Sequence, residues 1–367
     1  MPIRGCKETY MRVIEHSDKY KYTVLMSEDN KWKYFRSYGA NYDFNLETGY
    51  MASWGRNKTE DPHDFPVPNI LDCEVTTICK GGCKFCYKSN TTDGVNMTLD
   101  EFKHIIDIYP KSLTQVAIGA DYDGSSNPDL LAMMDYARDN FIIPNITVGY
   151  VSDEMAVELK KRCGAVAVSN YGKDKCYGSV KRLTDLGMTQ VNIHQLVSEE
   201  TFDQAYGLIE DAKTDPRLSK LNAIVFLALK QKGRGESFHT LPQDKFDILV
   251  KKAMKNGIGI GFDSCSSLKV LTALGDGYVD SVIPCESSLE SSYVNTESKY
   301  YPCSFCEGEN ENGQDWTDGI SLKDCMDTDD FIEKVWNNKK TLSFKEALKN
   351  TCSGNCKGCR TCPMFEV

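Results

Sequence analysis

From residue 70 onward, short apolar or β-branched runs alternate with amphipathic stretches. The runs are Ile70 to Thr77, Gln115 to Gly119, Asn145 to Val151, Ala165 to Ser169, Gln190 to Val197 and Ala223 to Leu229. Their length and composition predict buried strands. Between them, Leu99 to Tyr109, Asp129 to Asp139, Asp153 to Arg162, Tyr177 to Leu186 and Glu199 to Lys213 place apolar side chains at helical spacing, and Thr98 stands at the N-cap position of the first. Alternation of this kind predicts an α/β chain with a parallel sheet and right-handed crossovers. Six such units predict a partial (β/α)6 barrel of TIM type.

The flanks read differently. Trp32 to Tyr38 and Gly49 to Trp54 are aromatic stretches on either side of a turn-like Asn41-Tyr-Asp-Phe-Asn45, which predicts a small β-rich lead-in over residues 1–68. Pro62, Pro66 and Pro68 interrupt regular structure before the first strong strand. The barrel is expected over 69–245. Phe246 to Lys255 reads as a helix and Gly257 to Phe262 as a strand, but 246–367 otherwise predicts an irregular, Cys-rich domain.

Charge and cysteine content narrow the function. With 53 acidic against 43 basic side chains the chain carries −10, which disfavours a nucleic-acid substrate. The longest apolar run, Ala223 to Leu229, is far short of the roughly 20 residues a membrane span needs. Met1 to Tyr10 carries Arg4, Lys7 and Glu8 with no apolar stretch behind them, so the expected location is the cytoplasm, with no membrane partner. There, 16 cysteines point to metal binding or chemistry rather than disulfides. Cys6, Cys73, Cys163 and Cys176 are scattered singly and read as small buried hydrophobes.

Cys79-Lys-Gly-Gly-Cys83-Lys-Phe-Cys86 follows the first strong strand directly, on the side where barrel enzymes build their sites. Three thiolates on one short loop suit an iron–sulfur cluster with one iron left open to an outside ligand. The alternatives are a zinc site, which needs a fourth ligand brought in by folding, or three unrelated thiols. With its aromatic before the last Cys, this triplet resembles the CxxxCxxC motif of the radical S-adenosylmethionine (SAM) enzymes. The resemblance implies a [4Fe-4S] cluster on Cys79, Cys83 and Cys86, reductive cleavage of SAM to a 5′-deoxyadenosyl radical, and hydrogen abstraction from a substrate. It also implies cofactor contacts. Gly119-Ala120-Asp121 stands where the family has Gly-Gly-Glu against the methionine amino group, with Asp121 alternatively a plain loop residue. Phe85 resembles the aromatic whose backbone meets the adenine, and alternatively is a packed loop aromatic. Ser169, Asn170 and His194 stand where the family contacts ribose and carboxylate, and alternatively are ordinary strand-end polar residues.

Cys265, Cys285, Cys303, Cys306, Cys325, Cys352, Cys356, Cys359 and Cys362 lie beyond the predicted barrel. Ser298-Lys-Tyr-Tyr-Pro-Cys303 and Cys359-Arg-Thr-Cys362-Pro resemble the opening and close of the SPASM or twitch extension, with Ser298 where that pattern has Gly. The middle of its Cys pattern is absent and Cys306 is additional. Leaving out Cys325, the other eight thiols suffice for one or two auxiliary [4Fe-4S] clusters. Cys352, Cys356 and Cys359 repeat the CxxxCxxC spacing, but no barrel follows them, so they read as auxiliary.

The resemblance implies a peptide or protein substrate, modified by crosslinking, epimerisation or backbone excision as in maturation of ribosomally made peptides. It also implies a reducing partner such as flavodoxin or ferredoxin, and a leader-binding partner protein. The aromatics at Tyr34 to Trp54 and Tyr293 to Tyr301 are candidates for a peptide groove and equally for core. The alternatives are a radical SAM dehydrogenase or cofactor-assembly enzyme acting on a small molecule, and, in another class, a non-catalytic iron–sulfur electron carrier.

Overall fold

The computed structural model describes residues 11–62, 64–351 and 360–365. Five strands, β1 (Met11–Ser17), β2 (Tyr22–Ser27), β3 (Trp32–Ser37), β4 (Asn41–Asn45) and β5 (Met51–Trp54), form an antiparallel meander in chain order. The segment that reads as a turn is therefore the strand β4. Its alternating Tyr42 and Phe44 are buried, which outweighs the turn preference of its asparagines. Asn41 instead donates to Gly55 O at 2.8 Å, and Asn45 Oδ1 accepts from the turn amides of Glu47 and Thr48. Phe35 stacks on Tyr42 at 5.4 Å and meets Phe65 at 5.8 Å, so these three rings are core, whereas Tyr38 and Tyr50 of the same stretch are exposed.

Seven parallel strands follow in consecutive order: β6 (Ile70–Glu74), β7 (Gln115–Gly119), β8 (Ile143–Val148), β9 (Val166–Ser169), β10 (Val191–Val197), β11 (Ala223–Ala228) and β12 (Ile260–Phe262). The helices α1 (Leu99–Ile108), α2 (Leu130–Asp139), α3 (Asp153–Arg162), α4 (Lys173–Asp185), α5 (Phe202–Thr214) and α6 (Gln243–Lys255) lie in the connections. Thr98 caps α1 in a reciprocal box, accepting from Glu101 N while Glu101 accepts from Thr98 N. Val116, Ile118, Val166, Val168, Val191, Ile193, Ile224 and Phe226 are buried along the sheet. The sheet does not stop at residue 245, because α6 and β12 add a seventh parallel strand beside β11.

The last segment joins the opposite edge. After α7 (Ser267–Leu274), β13 (Ser291–Val294) pairs in parallel with β6, and β14 (Lys299–Tyr301) and β17 (Ile320–Ser321) continue the sheet antiparallel. A hairpin of β15 (Glu309–Glu311) and β16 (Gln314–Trp316) lies between them, and α8 (Thr328–Phe331) and α9 (Lys339–Asn350) follow. Tyr293, Tyr300 and Tyr301 are buried; Tyr293 packs on Tyr301, Tyr300 and Tyr301 both meet Trp316, and Tyr300 also meets Trp336, so this second aromatic stretch is core.

The meander sits at the N-terminal ends of the parallel strands. Tyr42 Oη and Lys33 Nζ donate to Ser112 O and Leu113 O, and Glu15 accepts from Lys111 N at 2.8 Å, all just before β7 begins. The loop of Cys79, Cys83 and Cys86 leaves β6 at the strands' C-terminal end. Among the described residues, no helix is long and apolar enough to cross a membrane.

Candidate metal centres

The loop between β6 and α1 is long, and its base is fastened before the cysteines begin. Bridges Thr76 to Asn96 and Ile78 to Thr91 close its neck, and Asn127 donates to both Val75 O and Met97 O at 2.7 and 2.9 Å. Cys79 N donates to Thr91 O, Gly82 takes a φ of +57°, and Cys86 N donates to Cys83 O at 3.3 Å. This curl turns the loop back on itself, and all three cysteines are half-buried. Gly81 N donates to Cys79 Sγ at 3.3 Å. Burial raises the Cys83 thiol, with Cys86 and Cys79 adding to the rise, while a Tyr171 hydrogen bond and the Arg234 charge oppose it. The three thiols therefore share one neighbourhood. Among the described residues no three His, Cys, Asp or Glu side chains are placed to hold one metal ion.

Around this loop stand the strand ends. Phe85 meets Tyr171 at 5.6 Å and Phe238 at 5.9 Å, and Tyr122 stacks on Tyr171 at 6.2 Å. Gly119 and Ala120 end β7, and Asp121 is buried, with Oδ2 accepting from Ser126 at 2.6 Å. Ser169 and Asn170 are buried at the end of β9, and Asn170 donates to Gln195 at 2.8 Å. Asp121 Oδ1 and Asn170 Oδ1 are buried acceptors with no hydrogen-bond partner among the described residues. Such acceptors fit a ligand that brings N–H or ammonium donors.

His194, on β10, is held neutral. Burial depresses it from 6.5 to about 4, with Asp263 opposing weakly. Between those values the unfolded chain binds a proton that the folded chain refuses. Stability is therefore complete above about pH 6.5 and declines by up to about 3 kcal/mol as pH falls to 4. Urea midpoints should fall more steeply over this window for the wild type than for His194→Gln; equal slopes would contradict the assignment.

A second set of thiols lines a cavity of 330 Å³: Cys265 before α7, Cys285 and Cys303 on either side of β13, and Cys362 near the end of the chain. Cys303 and Cys306 have their Sγ atoms 3.4 Å apart, and the Cys306 hydrogen bond holds Cys303 below the usual thiol range. Lys230 lines the same wall, buried and paired with Asp263, while Arg360 donates to Cys285 O at 3.3 Å. Burial lifts the Asp72 carboxyl, also on this wall, to about 7. Four thiols line this space together with Lys230 and the carboxyl groups of Asp72, Asp263 and Glu286, and four is the number of thiols a four-thiolate cluster takes. Cys325 is buried elsewhere, among Lys334, Asp330, Asp324 and Asp327. Cys352, Cys356 and Cys359 lie outside the described residues, as does Cys6.

Reading the sequence missed Tyr171, Lys88 and the basic run at 230–235. The last had a signal: Lys230-Gln-Lys-Gly-Arg-Gly235 directly follows an apolar strand at the end where sites form. Gly233 has φ +58°, and a Cβ there would meet Tyr87 O and lie 2.8 Å from Cys86 O. Gly233→Ala is expected to cost more than about 1 kcal/mol and to lower iron bound at the first loop. An unchanged melting curve and iron content would refute this.

No protein-family model matches the sequence, and no curated protein matches it. Among solved structures, the fold is similar to Streptococcus suis SuiB bound to precursor peptide SuiA, with TM-score 0.60 and 11% identity over 84% of this chain and 87% of that one. It is also similar to SuiB bound to S-adenosylmethionine, with TM-score 0.52 and 12% identity over 67% of this chain. The match spans 62% of the SAM-bound SuiB chain, less than two thirds of its length. At these identities the likeness is one of fold.

Proposed function

We propose that this chain is a radical SAM enzyme, built on a partial barrel, that modifies a peptide. One observation carries the reading: Cys79, Cys83 and Cys86 share a loop at the C-terminal edge of a parallel sheet, beside buried acceptors that lack partners. Those three thiols would hold the catalytic [4Fe-4S] cluster. Asp121 and Asn170 would accept from the amino group and ribose of SAM, with Ser169, Gly119 and Ala120 beside them and the Phe85 backbone toward adenine. When bound, the cluster and SAM supply one-electron cleavage to a 5′-deoxyadenosyl radical. The chain's own part is to orient and to exclude water. Phe85, Tyr122 and Tyr171 form an aromatic wall over the loop, and burial holds the His194 imidazole below its usual range.

Cys265, Cys285, Cys303 and Cys362 would hold one auxiliary cluster, with Cys306 in reserve. A second such cluster would draw on Cys352, Cys356 and Cys359. A peptide substrate is supported by the fold's similarity to SuiB bound to precursor peptide SuiA over most of both chains. The reductant would be a flavodoxin or ferredoxin, the leader would be presented by a partner protein, and the setting would be the cytoplasm. The test is to offer deuterated peptides encoded beside this gene and, separately, a deuterated metabolite pool. Deuterium entering 5′-deoxyadenosine from a peptide is expected. Label arriving only from a metabolite would defeat the peptide reading and favour the small-molecule alternative.

A further inference from the structure

The two sets of thiols, far apart in sequence, are tied together by one short segment. Residues 230–235 leave the C-terminal end of β11 and run between the cysteine loops. Lys230 pairs with Asp263, donates to Ala228 O at 3.1 Å and lies 4.9 Å from the Phe305 ring centre, on the wall of the four-thiol cavity. Lys232 donates to Phe305 O at 2.9 Å and to Glu307 O, and pairs with Glu309 at 2.7 Å. Arg234 turns the other way. Its Nε donates to Cys83 O at 2.8 Å, its Nη1 to Asn90 O at 3.1 Å and its amide to Cys86 O at 3.0 Å.

These carbonyls belong to irregular loops, where no sheet or helix ladder satisfies them. A cation donating to a carbonyl makes a stronger bond than a neutral amide does, so Lys232 and Arg234 are the principal restraints on each loop. The loops also touch directly. Tyr87 packs on Phe305 with ring centres 4.4 Å apart, and Lys88 donates to Tyr293 at 2.8 Å while pairing with Glu307 and, at 3.2 Å, Glu74. Of these groups, Tyr87, Lys88, Phe305 and Glu307 lie within a few residues of a cysteine in one of the two sets.

We propose that residues 230–235 form a clasp that joins the two cysteine loops into one unit, so that ordering either loop orders the other. Lys232 and Arg234 are positioning residues, acting on the thiols through the loop backbone. Opening of one loop must break contacts to the other, because Lys232 holds Phe305 O and Glu307 O while Arg234, two residues on, holds Cys83 O and Asn90 O, and a Cβ at Gly233 would meet Tyr87 O. The consequence for cluster loading rests on the function proposed above, whereas the clasp itself rests on contacts of the protein alone.

Hydrogen exchange of the full-length chain, before and after anaerobic reconstitution with iron and sulfide, tests it. Lys232→Gln, whose side chain contacts only 305–309, is expected to speed exchange about tenfold or more in 83–91 as well as in 303–309. Arg234→Gln is expected to loosen 303–309 as well as 83–91, and Lys232→Arg to leave both slow. If each Gln variant loosens only the loop it touches, the clasp is overturned. Exchange in β1 to β5, which the segment does not contact, reports global unfolding. Should Lys232→Gln unfold, Glu309→Gln, which only frees Lys232 from its carboxylate, carries the same comparison. Iron content is read separately: coupled exchange in a chain that binds no iron would sink the cluster assignment and leave the clasp standing.

Discussion

Replacing Cys79, Cys83 or Cys86 by Ala is expected to reduce 5′-deoxyadenosine formation from SAM to background. Each thiolate binds its own iron, so losing one leaves the loop unable to hold a cluster with a single open iron. Among the described residues the loop packs against the aromatics Tyr122 and Tyr171 and the cation of Arg234, none of which is a thiolate. The same variants should retain about four irons at the second site, whose donors Cys265, Cys285, Cys303 and Cys362 line a separate cavity. A triple variant that still made 5′-deoxyadenosine would show that the catalytic thiols had been misassigned.

The second large effect is expected from the other cavity. Exchanging Cys265, Cys285, Cys303 and Cys362 together for Ala should remove about four irons per chain and lower the melting temperature of the reconstituted protein, since metal affinity is folding energy. The loss is expected to be strongest round β13 and β14, because Cys285 and Cys303 bracket these strands on the β6 edge of the sheet. Removing the thiols also leaves Lys230 facing a cavity with fewer anions. Its pairing with Asp263 should hold it charged, so the variant is expected to fold. Iron content and melting temperature equal to wild type would remove this auxiliary site.

Much of this was legible in the sequence where one pattern acts alone. Apolar runs gave all six strands from β6 to β11 to within a few residues, and Thr98 gave the start of α1. The Cys79 loop could be placed because the strand before it fixes which end of the sheet it occupies. Where two preferences competed, the pattern misled. In β4, asparagines that favour turns flank Tyr42 and Phe44, and burial of those rings against Phe35 and Phe65 decides for a strand. What depends on long-range contact was not legible. Nothing near Cys265 announces Cys362, and nothing in the first loop announces that Tyr87 packs on Phe305. The carbonyl contacts of Lys232 and Arg234 are equally silent, since any backbone can accept them.

The central claim is that the loop of Cys79, Cys83 and Cys86 supports SAM cleavage. The measurement that bears on it most directly is 5′-deoxyadenosine and methionine released when anaerobically reconstituted wild-type protein is mixed with SAM and a strong one-electron reductant. The account predicts both products in equal amounts, dependent on the reductant and lost in the Cys79→Ala, Cys83→Ala and Cys86→Ala variants. Protein that has bound iron and sulfide at the first loop yet releases neither product would contradict it.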